Sequence, residues 1–115
     1  MRIPVLDLCG PICVDPDDGF RVCEQARPAL ERGESVVLDF AGVTDLTGSF
    51  LNAAVGCLYG TFSADDLEQR LTCLGLDVTD ESVLRVVKEN AVEFFALNPA
   101  QRQRLAEEAL SPIES

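Results

Sequence analysis

The clearest hydrophobic pattern in this chain lies in residues 35–60. It opens with a nearly continuous apolar run, typical of a strand covered on both faces, at Val36, Val37, Leu38 and Phe40. Residues 44–49 are rich in the polar and small residues that form turns and cap helices. Apolar residues then recur at helical spacing, at Phe50, Leu51, Ala54, Val55 and Leu58. The pattern predicts a buried strand, a short polar turn and an apolar helix.

The first third of the chain predicts strands followed by a helix. Residues 3–8 favour a first strand, and residues 12–14 favour a short partner strand after a Gly-Pro turn. The acidic cluster of residues 15–19 is typical of a helix start, because carboxylates stabilise the positive end of the helix dipole. Gly33 provides the stop at the other end. Pro28 lies inside this helix and removes one backbone hydrogen bond, so we expect a kink or a break there.

The second half of the chain predicts helices on both sides of a third strand. Residues 63–66 resemble a capping box that opens a short helix to about Leu71. Residues 73–76 favour the strand. Thr79 or Asp80 then caps the most regular helix, whose apolar positions follow the 3.6-residue period at Val83, Leu84, Val87, Ala91, Phe94 and Phe95.

The order of these segments predicts an α/β fold built on one small sheet. Strands and helices alternate along the chain, which indicates an α/β layer with a partly parallel sheet. Pro99 marks the start of a last helix with a narrow apolar face. We expect residues 1–110 to form a single domain and residues 111–115 a frayed tail. We also expect one core shared by Val37, Leu38, Phe40, Leu51, Val55, Val87, Ala91, Phe94 and Phe95.

The charge of the chain narrows the classes of partner. The formal net charge is −11, which argues against nucleic acid, since phosphates are bound by clustered Lys and Arg. No basic residue lies between Arg32 and Arg70, whereas six acidic residues do. A charged partner of this part of the chain is therefore expected to be basic or to bring its own metal. The apolar runs are too short for a membrane span, and the first residues lack a signal-peptide pattern, so a cytoplasmic location is expected.

The cysteines indicate reduced thiols and no zinc site. There are five of them, an odd number, and no His, so neither a disulfide framework nor a conventional zinc site is expected. Cys57 and Cys73 lie in apolar patterns and are expected to fill the core. Cys9 and Cys13 flank a turn and could come within bonding distance, although two separate thiols is the favoured interpretation.

Two groups of polar residues are candidates for chemistry, although no catalytic motif is present and no cofactor is expected. Asp39 and Asp45 follow the central strand and could bind Mg²⁺ as in receiver domains, but local capping or pairing of Asp39 is the favoured interpretation. Thr47, Gly48 and Ser49 open the next helix, where a hydroxyl oxygen satisfies an unpaired N–H group. The same position would also accept a phosphate.

The central segment also carries a resemblance to a known family. Residues 36–52 read V-V-L-D-F-x-G-V-T-x-L-x-x-S-F-L-N and resemble the bacterial STAS-like domain of unknown function, over residues 18–95. They are similar, more remotely, to the STAS domains of anti-sigma-factor antagonists, in which an Asp-Ser-Ser-Gly turn is phosphorylated by a histidine-kinase-like ATPase. Ser49 falls at the phospho-acceptor position of that turn. The chain departs from the motif at Thr47, Gly48 and Phe50, which stand where the motif has Asp, Ser and Gly.

The resemblance implies a small mixed sheet with helices mainly on one face. It also implies a non-enzymatic regulatory or protein-interaction module, with a histidine-kinase-like ATPase as the family-style partner. The site would comprise Asp45, Thr47, Gly48, Ser49 and Phe50. The alternatives are a receiver-like phosphotransfer protein that uses Asp39 and Asp45, and a structural subunit of a larger assembly.

Overall fold

The computed structural model describes residues 1–96, in which strands and helices alternate. In chain order the elements are β1 (Arg2–Pro4), α1 (Val5–Cys9), β2 (Ile12–Cys13), α2 (Pro16–Glu31), β3 (Val36–Asp39), β4 (Asp45–Leu46), α3 (Gly48–Ala54), a 3₁₀ helix (Gly56–Gly60), α4 (Ala64–Arg70), β5 (Leu71–Leu74) and α5 (Val78–Ala96). The expected α/β class is confirmed. The expected last helix, the domain limit at residue 110 and the tail lie outside the described residues.

The main sheet has three parallel strands in the order β1–β3–β5. Leu38 on the central strand lies level with Ile3 on one side and Cys73 on the other. The connection from β1 to β3 and the connection from β3 to β5 move in the same direction across the sheet. Because parallel crossovers are nearly always right-handed, two such steps place their helices on the same face. A second, very short parallel pair joins β2 to β4, so every described strand pairing is parallel and the described sheets are not mixed as the resemblance implied.

The side chains of β3 alternate between the helix-covered face and the opposite face of the sheet. Val36, Leu38 and Phe40 are at most 1% exposed, whereas Val37 and Asp39 are only half-buried. Successive residues of a strand point to opposite faces, so the described helices cover one face alone. Helices mainly on one face are therefore confirmed, and within residues 1–96 the strand is not covered on both faces as expected. The apolar run could not reveal this, because Val37 is apolar but lies on the open face.

The core is one cluster of buried side chains from the strands and from α2, α3 and α5, in which α2 contacts the sheet, α3 packs on α2, and α5 packs on α3. Of the nine residues expected in the core, six are buried: Leu38, Phe40, Leu51, Val55, Val87 and Ala91. Val37, Phe94 and Phe95 are half-buried. Helices α2 and α3 are in close contact at Gly19. A Cβ atom there would lie 2.5 Å from the carbonyl oxygen of Phe50, so this helix contact requires glycine.

The amino-terminal segment differs from the predicted strand of residues 3–8. β1 ends at Pro4, and Val5–Cys9 form one helical turn that closes with the Gly10 N–H donating to the Leu6 carbonyl at 2.8 Å. Proline has no N–H group to continue a strand ladder, and its fixed φ is compatible with a helix start. Ile12–Cys13 then pairs with β4 and not with β1. The expected hairpin between residues 3–8 and 12–14 is therefore wrong.

Helix α2 is continuous from Pro16 to Glu31, so the expected break at Pro28 is wrong. Its start is capped as predicted, with the Asp15 carboxylate accepting from the Asp17 N–H at 2.9 Å. Pro28 is exposed and lies near the carboxyl end of the helix. The carbonyl that loses its partner is that of Glu24, another exposed residue, where water can take the place of the missing N–H.

The remaining boundaries are shifted by a few residues. Helix α4 begins after Ser63, whose Oγ accepts from the Asp66 N–H at 3.1 Å as predicted. Strand β5 occupies Leu71–Leu74, two residues earlier than expected. Gly75 ends it with a φ of +82°, and a Cβ atom there would lie 2.6 Å from the Ala41 nitrogen. The cap of α5 is neither Thr79 nor Asp80 but Asp77, whose carboxylate accepts from the Asp80 N–H at 2.7 Å.

The cysteines correct the expectation of five reduced thiols. Cys23 on α2 and Cys57 in the 3₁₀ helix form a disulfide, so Cys57 is not simple core filler. Their separation of 34 residues gives no sequence signal, because only the packing of α2 beside α3 brings them together. Cys9, Cys13 and Cys73 are free, and the favoured interpretation of Cys9 and Cys13 as separate thiols is confirmed. Burial raises the pKa of Cys13 to about 11.

Truncating a side chain on the covered face of β3 should lower the free energy of unfolding more than truncating one on the open face. Leu38→Ala should lower the free energy of unfolding by about 2–5 kcal/mol, because it leaves a cavity beneath the helices. Val37→Ala is the matched control on the open face and should cost about 1 kcal/mol or less. Urea denaturation at pH 7 measures both values. Equal losses for the two variants would contradict a sheet that is covered on one face.

Candidate functional site

The turn before α3 is held in place by the segment that precedes α2. The Pro11 carbonyl accepts from the Thr44 N–H at 2.8 Å, and the Cys13 carbonyl accepts from the Thr47 N–H at 3.2 Å. The Thr47 hydroxyl donates to the Val14 carbonyl at 3.4 Å. These bonds join residues more than 30 positions apart, which is why sequence reasoning missed the contribution of residues 11–14. The turn therefore has a fixed position on the surface.

The sequence left open whether Thr47 or Ser49 caps α3, and the structure assigns that role to Thr47. Its Oγ1 atom accepts from the Phe50 N–H at 3.2 Å, and its backbone is extended, as expected of a residue that precedes a helix. Ser49 is exposed, and its hydroxyl makes no hydrogen bond with any residue in the described range 1–96. The Ser49 hydroxyl is thus presented to solvent without a structural role.

Gly48 and Ser49 form the α3 side of a surface groove between α3 and α5. The groove has a volume of about 580 Å³. Valines form its apolar part, while hydroxyls and one amide supply its polar groups; besides Gly48 and Ser49, the lining residues are Thr79, Ser82, Val83, Val86, Val87 and Asn90. Sequence reasoning missed the α5 side of this groove. The only signal was the row of small polar residues and valines beside the core-facing positions of that helix.

The other predicted site residues have different environments. Phe50 is fully buried and anchors α3 in the core, so its ring offers no surface to a partner. Asp45 is exposed on β4, level with the half-exposed Ile12 of β2. Of the five residues, the structure therefore brings only Gly48 and Ser49 to the groove.

The Asp39 carboxylate accepts hydrogen bonds from β1 and from the loop that follows β3. Its Oδ1 atom accepts from the Ala41 N–H at 2.9 Å, and its Oδ2 atom accepts from the Arg2 guanidinium, with Nε at 2.9 Å. The Ala41 N–H and then the Arg2 side chain hold the pKa of this carboxyl below its ordinary value of 3.8. Local capping by Asp39 is therefore confirmed for the Ala41 N–H, whereas its ion pair with Arg2 joins two strands of the sheet. No cluster of three or more His, Cys, Asp or Glu side chains suited to a metal ion occurs within residues 1–96.

Three of the six acidic residues between Arg32 and Arg70 form ion pairs with arginine side chains. Arg2, Arg32 and Arg70 form ion pairs with Asp39, Glu34 and Asp66, respectively. Asp45, Asp65 and Glu68 are exposed and form no ion pair with any described residue. Among the helices of the described part, none has the length and apolarity to cross a membrane.

The capping role of Thr47 predicts a contrast between two neighbouring hydroxyls. Thr47→Ala should lower the free energy of unfolding by about 1 kcal/mol, because it removes the acceptor of the Phe50 N–H. Ser49→Ala should change it by less than about 0.5 kcal/mol, since its hydroxyl has no partner in the described fold. Chemical denaturation of both variants measures the difference. A larger loss for Ser49→Ala than for Thr47→Ala would overturn this assignment.

The lowered pKa of Asp39 predicts a pH dependence of stability. A carboxyl with a lowered pKa stabilises the fold at pH above its ordinary value, and this contribution is lost as the pH falls through the folded-state pKa. Asp39→Asn should therefore be less stable than wild type at pH 7, and the two stabilities should converge below about pH 3.8. Urea titrations from pH 7 to 2.5 measure the difference. A difference that stays constant over this range would contradict a role for the charge.

Comparison with known families identifies the part of the chain that contains the turn and α3. A family model described as the STAS-like domain of unknown function (DUF4325) matches residues 18–81. The match begins in the first turn of α2 and ends in the first turn of α5, so it includes the central strand, the turn and α3. No curated protein and no solved structure gives a significant match to the chain. Since the family model covers more than half of the sequence, the chain belongs to the family of STAS-like domains of unknown function.

Proposed function

We propose that this chain is a non-enzymatic regulatory module that binds a partner protein through the turn before α3, with Ser49 as its switch residue. The observation that carries the proposal is that the neighbouring hydroxyls of Thr47 and Ser49 have different roles. Thr47 caps the helix, whereas the Ser49 hydroxyl is exposed and unbonded within the described fold. A modification of Ser49 would therefore change the surface offered to a partner without removing a bond that holds the fold.

Phosphorylation is the modification that fits this position. A phosphate adds about 1.5–2 negative charges and three strong acceptors. The groove that Ser49 lines contains no Lys or Arg, so its lining supplies no cation to neutralise the phosphate. The compensating charge would come from the partner, and the partner would respond directly to the modification. By resemblance to the STAS domains of anti-sigma-factor antagonists, a histidine-kinase-like ATPase is the proposed partner.

The receiver-like alternative has less support. It would need Asp39 and Asp45 to present carboxylates to one metal ion. Both oxygens of Asp39 are already engaged, by the Ala41 N–H and the Arg2 guanidinium. Asp45 belongs to the separate two-stranded pair. The proposal therefore contains no catalytic step and assigns no cofactor.

The proposal predicts that charge at Ser49 changes binding far more than stability. Ser49→Asp should leave the melting temperature nearly unchanged but shift the Kd for the partner by tenfold or more, which is about 1.4 kcal/mol. Ser49→Ala should bind like the unmodified protein. The partner is first captured from the native host and identified by mass spectrometry, and its Kd is then measured by calorimetry.

Ser35→Asp is the matched control. Ser35 is an exposed serine in the loop before β3, outside both the turn and the groove. The same charge placed there should leave the Kd within about twofold. If Ser49→Asp and Ser49→Ala both bind the partner with the wild-type Kd, Ser49 is not the switch residue. Equal shifts for Ser49→Asp and Ser35→Asp would show a general effect of net charge.

A further inference from the structure

The groove between α3 and α5 is elongated along α5. Its lining runs from Thr79 to Asn90, which corresponds to three helical turns, or about 16 Å. Val83 and Val87 lie about one turn apart within it, and Val86 lies beside Val87. Of these three, Val86 is 49% exposed. Apolar side chains that line a continuous surface depression are a feature of binding sites, whereas scattered exposed valines are not.

The charges beside this groove are of one sign. On a helix with 100° per residue, Glu93 and Glu89 lie within about 90° of the centre of the groove lining. Arg85 and Lys88, the basic residues of α5 in the described part, lie more than about 130° away. Neither Glu89 nor Glu93 forms an ion pair within residues 1–96. The outer rim of the groove is therefore acidic and uncompensated in the described fold.

We infer that the groove between α3 and α5 is the docking surface for a basic amphipathic helix of a partner protein. Three turns of groove match a helix that presents apolar side chains at positions i, i+4 and i+7. Those side chains would pack on Val83, Val86 and Val87. Lys and Arg side chains on the flank of the partner helix would face Glu89 and Glu93.

The inference rests on the proposed function, because it names the chemistry of the partner for the same site. It also fixes the direction of the switch. Ser49 lines the groove, so a phosphate on its hydroxyl adds to the negative charge of the acidic rim. Opposite charges attract across an interface, most strongly at low salt. Modification of Ser49 should therefore strengthen the binding of the basic helix.

The test uses the full chain and a display library of helical peptides as the probe. The selected peptides should carry apolar residues at i, i+4 and i+7 together with a net positive charge. Val86→Arg should weaken their binding tenfold or more, because it places a cation on the apolar surface that receives them. Val92→Arg is the matched control, since Val92 lies on the same helix, is 45% exposed and is not part of the groove lining. It should leave the Kd within about twofold.

Two further variants test the charges. The double variant Glu89→Gln with Glu93→Gln should weaken the selected peptides and reduce the salt dependence of their Kd. Ser49→Asp should tighten the same peptides. Peptide binding that is lost in Val86→Arg but unaffected by Ser49→Asp would keep the groove as a docking surface and contradict the switch. Binding that responds to Ser49→Asp but not to Val86→Arg would overturn the groove and leave the switch.

Other outcomes overturn the inference outright. These are selected peptides that are acidic or lack apolar periodicity, a selection that enriches nothing, and binding that is equally weakened by Val86→Arg and Val92→Arg. Sedimentation of the chain without peptide tests whether a second copy of the chain occupies the groove. Self-association that is lost in Val86→Arg would identify the groove as an interface between two copies of this chain and overturn a basic partner helix.

Discussion

The close packing of α2 against α3 is the constraint on which the rest of this structure depends. Both helices cover the same face of β3, and they are in close contact at Gly19, where a Cβ atom would lie 2.5 Å from the Phe50 carbonyl oxygen. Phe50 can be fully buried because this approach is possible. The start of α3, and with it the turn that precedes the helix, is therefore positioned by an interface inside the core.

The surface of the candidate site follows from this buried contact. Phe50 fixes α3 from below, and hydrogen bonds from the Pro11 and Cys13 carbonyls fix the turn from the side. Thr47 satisfies the backbone at the helix start, which leaves the Ser49 hydroxyl without a structural task in the described fold. The groove beside Ser49 exists because α5 packs against α3 and the 3₁₀ helix, with Val83 beside Gly48 and Val87 beside Gly56. Val86 stays half-exposed in the groove lining.

Sequence reasoning succeeded where local chemistry decides the outcome. The apolar run of β3, the acidic start of α2, the cap at Ser63 and the stop at Gly33 are local signals, and each is found in the structure. Sequence reasoning failed where the local sequence was compatible with two different structures. Residues 3–8 are apolar enough for a strand, but Pro4 divides them into a strand and a helical turn. Pro28 is a helix breaker in isolation and is tolerated here because it lies at the exposed end of α2.

The sequence by itself determined the α/β class, the family and the position of the turn, because hydrophobic period, caps and the residue 36–52 motif are encoded by neighbours in the chain. Only the tertiary structure decided which hydroxyl caps α3, which face of the sheet is covered, that Cys23 meets Cys57, and that α5 completes a groove at Ser49. The disulfide and the groove join residues 30 or more positions apart along the chain, and the turn before α3 is held by bonds from residues 11–14. Their approach is set by how the helices pack on β3, which no local pattern specifies.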